Sequence, residues 1–195
     1  LGKAYPLSEL ITGVIFAGSY YFWPYGFGAL GWFQLLLWLV VVVLLVSAAF
    51  ADYRWSILPD KLTIPLAVIA CASQLFSIAY TQSFDAIPGV ILGVVVGAGI
   101  FYVLNVVSKG AYIGGGDVKL GLFYGILLGS GLKSMLVIAI GSTLGTIALL
   151  PMLVRKQKTI HTQIPFGPYL IIATILVYIF GDRLVSLVTT TYLFP

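Results

Sequence analysis

Charge is scarce in this chain. Only 8% of its 195 residues are Asp, Glu, Lys or Arg, against about 25% in an ordinary soluble domain, too few to cover the surface of a water-soluble globule. Cysteine is rarer still. Cys71 stands alone, which excludes an intrachain disulfide and a cysteine-built zinc site. The one histidine, His161, has no HExxH around it, so zinc-peptidase chemistry is not expected. No serine sits in a GxSxG elbow, which removes the serine-hydrolase reading. The ten basic residues are scattered between apolar runs, so the formal net charge of +4 does not mark a nucleic-acid-binding stripe, and no nucleic acid is expected as a partner.

What fills the sequence instead is apolar mass. Hydrophobic residues make up 61% of the chain and aromatics 14%, with a mean hydropathy of +1.10. A lipid bilayer is the solvent that suits this composition, and disordered or collagen-like chains are excluded by it. Apolar runs fall at roughly 9–30, 33–51, 62–80, 87–107, 118–130, 133–154 and 164–181. One crossing takes about 20 residues. The expectation is therefore an all-α, polytopic bundle of about seven transmembrane helices forming one domain over residues 1–195, its fifth run short for a full crossing.

Seven crossings put the termini on opposite sides. Lys3, Arg54, Lys61, Lys109, Lys119, Arg155, Lys156 and Lys158 then share one face, and only Lys133 and Arg183 the other. The excess of basic residues marks the first face as cytoplasmic. Glycines four apart in residues 92–99 (LGVVVGAG) and 141–145 (GSTLG) read as helix-packing positions, since small residues let backbones approach in lipid.

Six acids remain: Glu9, Asp52, Asp60, Asp85, Asp117 and Asp182. Asp85 and Asp182 fall in outer loops, where solvated charge is ordinary, and Glu9 suits a helix start. Asp52 closes a strongly apolar run and precedes Tyr53, Arg54 and Trp55, so interfacial anchoring is one account of it. Asp60 follows Pro59 and has the form of a helix N-cap. Asp117 follows Gly114, Gly115 and Gly116, which read as a glycine turn ending in an Asp N-cap or as an open slot beside a carboxylate. The pair matters more than its members. Two carboxylates at the cytoplasmic membrane edge, Asp52 and Asp117, could share one proton, so that one acts as acid and the other as base on water. A transporter using interfacial aspartates as an ion or proton path is the rival reading, and an assembly platform whose aspartates only cap helices is a third.

Three stretches carry a resemblance. Asp52-Tyr-Arg-Trp-Ser-Ile-Leu-Pro-Asp60-Lys-Leu-Thr-Ile-Pro65, Gly114-Gly-Gly-Asp117-Val-Lys-Leu and Ile164-Pro-Phe-Gly-Pro-Tyr-Leu170 stand in this order. Together they resemble the motifs of type IV prepilin peptidases, membrane aspartyl proteases of the GxGD type. The opening Tyr5-Pro-Leu-Ser-Glu-Leu10 is similar to the stretch that leads into that family's core. The resemblance implies Asp52 and Asp117 as the catalytic pair. Gly114, Gly115, Gly116, Lys119, Asp60, Pro165, Phe166, Gly167 and Pro168 are expected to support the loop or the substrate. Flexibility of the three glycines is expected to let Asp117 close on Asp52, and Asp60 to offset the basic rim where a basic leader must dock. Pro165 to Pro168 read either as a helix break at the site or as a plain loop-to-helix start.

The resemblance further implies cleavage of a short basic leader from prepilin-like or pseudopilin precursors, after a glycine, on the cytoplasmic side of the bacterial plasma membrane, without metal or cofactor. The family's bifunctional members carry ahead of this core another span and paired CxxC motifs linked to N-methylation. These residues hold no CxxC, so only the protease half is expected of them, and the start at Leu1 leaves room for an upstream segment.

Overall fold

The computed structural model describes residues 4–110, 113–154 and 165–192. These form seven helices: α1 (Ala4–Tyr21), α2 (Ala29–Trp55), α3 (Asp60–Thr81), α4 (Ala86–Val107), α5 (Gly115–Leu128), α6 (Gly131–Val154) and α7 (Gly167–Tyr192). Five of them, α2, α3, α4, α6 and α7, are long and apolar enough to cross a membrane. The protein is a polytopic helical membrane bundle. Many large apolar side chains are exposed, such as Val40, Val68, Val95 and Leu187, which is the arrangement expected where lipid is the solvent.

The long helices α2 and α7 meet α3, α1 and α6 around a core that includes Trp38, Leu45, Leu66, Phe123 and Val177. Trp38 stacks on Tyr178 with ring centroids 4.0 Å apart. Its buried indole N–H donates to the Ser19 hydroxyl at 2.9 Å, tying α1 to α2.

Helix α5 is short. Its 14 residues rise about 21 Å at 1.5 Å each, less than the roughly 30 Å of a hydrocarbon core. Two neighbours compensate. The first is α4, whose Gly89, Gly93 and Gly97 run antiparallel against Gly129, Gly125 and Gly121. A Cβ on Gly93 would lie 2.3 Å from the Gly125 carbonyl oxygen, and one on Gly121 would lie 2.5 Å from that of Gly97. The two backbones are therefore in direct contact, as small residues spaced four apart allow. The second is α3. Gln74 reaches from its middle to donate its side-chain amide to the carbonyls of Ile126 and Leu127, at 2.8 and 3.1 Å. Those are end-of-helix acceptors with no intrahelical partner.

Several boundaries differ from the expected runs. The first run breaks before Leu30 because Pro24 and Gly26, the latter at φ +67°, form a turn between α1 and α2. Helix α2 carries on through Asp52 and Arg54 and ends where Ser56 adopts a left-handed conformation, its N–H bonding the Asp52 carbonyl at 2.7 Å. Helix α7 does not stop at residue 181. Asp182 lies inside it and pairs with Lys133 at the start of α6, 2.8 Å away, so the charge is neutralised and the helix continues. The expected outer-loop position of Asp182 is corrected accordingly. Asp85 stands at the N-cap of α4 and accepts from the Ser83 hydroxyl at 2.7 Å.

The α4–α5 contact gives a direct expectation. Gly125→Leu must separate backbones that now touch, at a cost of at least about 1–3 kcal/mol. Thermal melting of the detergent-solubilised variant is expected several degrees below wild type, whereas Gly99→Ala, where a Cβ meets nothing within 4 Å, should melt as wild type does.

Candidate active site

Asp52 and Asp117 come from stretches far apart in sequence and meet at one end of the bundle. Asp52 lies in the last turn of α2 and is 6% exposed; Asp117 lies in the first turn of α5 and is 9% exposed. The two carboxylates are close enough for Asp117 to feel the charge of Asp52, and Tyr124, one helical repeat deeper on α5, lies in the field of Asp117. This is the juxtaposition that the sequence suggested. Among the described residues no group of three or more His, Cys, Asp or Glu side chains gathers.

The third motif supplies the partner of Asp52. Gly167 opens α7, and its N–H donates to Asp52 Oδ2 at 3.0 Å in a buried position. Pro165 and Phe166 precede the helix, and Pro168 is its second residue. The run is thus a loop-to-helix start, not a break within a helix. Phe166 packs edge-on to Phe101 of α4, with centroids 6.1 Å apart, which fixes the turn against the bundle.

The three glycines before Asp117 do not form a loose turn. Gly114 is the N-cap of α5, while Gly115 and Gly116 make its first turn, and the Asp117 N–H bonds the Gly114 carbonyl at 3.2 Å. Gly116 is needed because Leu58 lies against it: a Cβ there would come 2.9 Å from Leu58 Cβ and Cδ1. The loop ahead is braced as well, since the Asn105 side-chain amide donates to the Ile113 carbonyl at 2.6 Å. In this structure the segment is a helix start docked against Leu58.

Asp60 is not an N-cap. Pro59 occupies that position and Asp60 is the first residue of α3, with no capping bond from its side chain. Its carboxylate pairs with Lys119, two residues past Asp117, and joins the start of α3 to the start of α5. Both side chains are about half exposed, so the pair contributes at most about 1 kcal/mol. The cation it matches, Lys119, is one of the basic residues at this end.

Sequence reasoning passed over Leu58, Asn105, Gln74 and Tyr124. Leu58 stood inside the first motif, and the two amides were polar residues within or at the end of apolar spans; those were the available signals. Glu9 does not start a helix; it is the sixth residue of α1, beyond the first turn. With Thr12, Phe16, Phe50 and Arg54 it lines a groove of about 610 Å³ between α1 and α2. The groove residues of α2 lie half a helical turn or so around from Asp52, so this groove is separate from the acid pair. Lys3, His161, Ile164 and the basic residues Arg155, Lys156 and Lys158 lie outside the described residues.

Two buried carboxylates thus stand together at one end of a helical membrane bundle. The chain belongs to the type IV leader peptidase family, whose family model matches residues 38–150. It is 32% identical over 183 residues to a prepilin leader peptidase/N-methyltransferase of Xanthomonas campestris, covering 93% of this chain and 61% of that protein. A protein of the same name from Pseudomonas aeruginosa is 32% identical over 194 residues, covering 99% of this chain and 62% of its own length. The Bacillus subtilis relative, named likewise, is 27% identical over 185 residues, covering 93% and 68%. The chain thus spans about three-fifths of the length of the first two relatives. No solved structure matches it.

The juxtaposition can be checked without an activity assay. With Cys71 replaced by Ala, the double variant Asp52→Cys, Asp117→Cys is expected to cross-link within one chain through a short bifunctional maleimide. A control pairing Asp117→Cys with Asp182→Cys, at opposite ends of the bundle, should not. The readout is whether the two halves stay joined on a gel after proteolysis between the sites.

Proposed function

We propose that this chain is a membrane aspartic endopeptidase that removes the short basic leader from prepilin-like or pseudopilin precursors, cutting after a glycine. The observation that carries this reading is the burial of Asp52 and Asp117 side by side at one end of the bundle. Membership of the type IV leader peptidase family and the names of the relatives support it. In this reading the 195 residues form a single membrane-embedded catalytic core, and methyl transfer is not assigned to them.

The distribution of basic residues supports a cytoplasmic site. Arg54, Lys61, Lys109 and Lys119 stand at or near the site end of helices α2 to α5, while Lys133 and Arg183 fall at the other. By the positive-inside rule the acid pair faces the cytoplasm of a bacterial cell, at the plasma membrane. The precursor's hydrophobic helix then lies among the spans, and its leader stays in the cytosol.

The chemistry needs one carboxylate ionised and one protonated. The ionised acid takes a proton from water as that water attacks the scissile carbonyl carbon. The protonated acid hydrogen-bonds the carbonyl oxygen and stabilises the charge developing there. Collapse of the tetrahedral species expels the amine, which receives a proton from the pair, and no covalent acyl-enzyme forms. Because two like charges share one buried site, the titration belongs to the pair. Activity falls on the acid side as the base is protonated and on the alkaline side as the acid loses its proton.

Purified protein in detergent, incubated with a pilin-like precursor, is expected to yield a shortened product with a bell-shaped pH profile. Asp52→Asn and Asp117→Asn should each lower turnover by about 10²–10⁴-fold with unchanged melting, and Asp60→Asn should only reduce it. Full activity in either main variant, or ion flux in proteoliposomes without cleavage, would overturn the proposal, the latter in favour of transport.

A further inference from the structure

Every helix begins with N–H groups that its own turns cannot satisfy. At the start of α7 almost all of them are accounted for locally. Tyr169 and Leu170 turn their N–H groups back to the Phe166 carbonyl, at 3.1 and 3.3 Å. Pro168 has none to offer. One donor is left over, the N–H of Gly167, and it is spent on Asp52 Oδ2 at 3.0 Å across 115 positions of sequence.

Space around this bond is as restricted as its direction. A Cβ on residue 167 would sit 2.6 Å from Asp52 Oδ2, 3.1 Å from Asp52 Cγ and 3.4 Å from Leu58 Cδ1. No side chain fits there unless the carboxylate moves. Phe166 cannot yield easily either, since it is packed on Phe101 and lies 3.4 Å from where a Cβ of Gly145 would stand.

We propose that Gly167 is the positioning residue of the acid pair: its N–H pins one oxygen of Asp52, and its missing side chain makes the room for that carboxylate to stand beside Asp117. The proposal rests on reading Asp52 as one of the catalytic acids. With Oδ2 held as an acceptor by the helix start, Oδ1 is the oxygen left for water or substrate. The proline on either side serves the same end. Pro168 removes a competing donor, and Pro165 directs the chain into the turn with a fixed φ.

Among the described residues, the other titratable groups at this end are Asp117 and Tyr124 on α5, the Asp60–Lys119 pair between α3 and α5, Lys61 at the start of α3, Tyr102 on α4 and Lys109 just after it, Tyr169 on α7 and, on α2 itself, the exposed Tyr53 and Arg54. None of them is altered by a change of backbone at residue 167.

Two variants test the proposal in the full chain. Gly167→Ala introduces the Cβ; a backbone ester, with glycolic acid in place of Gly167, replaces the N–H by an oxygen and adds no side chain. Both are assayed on a pilin-like precursor with a basic leader ending in glycine, beside wild type and Asp52→Asn. A hydrogen bond to a charged group supports a change of about 10–100-fold. The expected result is a kcat lowered by that factor in both variants, KM within about twofold of wild type, and one limb of the pH profile moved to higher pH by about one unit. The ester variant should stay folded, its melting lowered by a few degrees at most. Wild-type kcat and pH profile in the ester variant overturn the proposal, as does a loss confined to KM or to melting. If Asp52→Asn itself cleaves normally, the assignment of the catalytic pair fails instead, and the two failures are told apart.

Discussion

Burying two acids together at the end of an apolar bundle is the constraint that the rest of this structure answers. A carboxylate taken out of water is costly unless hydrogen bonds replace its hydration, and a second one beside it adds repulsion. The answer is drawn from the backbone. Asp52 receives the N–H of Gly167, and Asp117, in the first turn of α5, is hydrogen-bonded by the backbone of Gly114 at the start of that helix. Such donors carry no net charge, so they hold the acids in place without forming the ion pair that would silence them. Lys119, the cation nearest to Asp117 in sequence, is engaged by Asp60 instead.

Position is the second requirement, because Asp117 goes wherever α5 goes. A helix of 14 residues gains little stability from its own turns and is too short to be defined by the bilayer alone. Its placement comes from α4 and α3. Backbone contact through Gly93, Gly97, Gly121 and Gly125 fixes its distance from α4, and Gln74 fixes its far end. The glycines that look like mere packing residues are therefore part of how the acid pair is assembled, one step removed from the chemistry.

Much of this was legible in the sequence for a physical reason: apolar runs and isolated acids are one-residue signals. The seven helices, the brevity of the fifth and the choice of Asp52 and Asp117 as the acids that could meet follow from them. The glycine spacing in residues 92–99 announced a close contact, but not that its partner was Gly121 and Gly125 on the next helix. What stayed hidden needs two remote segments to be seen at once. Asp60 looks like a cap until Lys119 is beside it, and Asp182 looks like a helix end until Lys133 is. Gly167 is hidden more deeply still, since the group that acts is a backbone N–H, which every residue but proline carries.

Leu58 draws these threads together. It is buried, it lies against Gly116 of the second motif, and its Cδ1 comes within 3.4 Å of where a Cβ on Gly167 of the third would stand. The three motifs thus converge on one apolar side chain from the first of them. The glycines Gly116 and Gly167 are spaces that Leu58 and Asp52 occupy. Under the proposed function this bears on mechanism, because a catalytic site works best when its polar groups are already oriented and need little reorganisation during the reaction. Asp52 is held by a helix start on one side and Asp117 by a docked helix turn on the other. In that reading the work left to a bound precursor is to deliver its scissile bond to acids that already stand together.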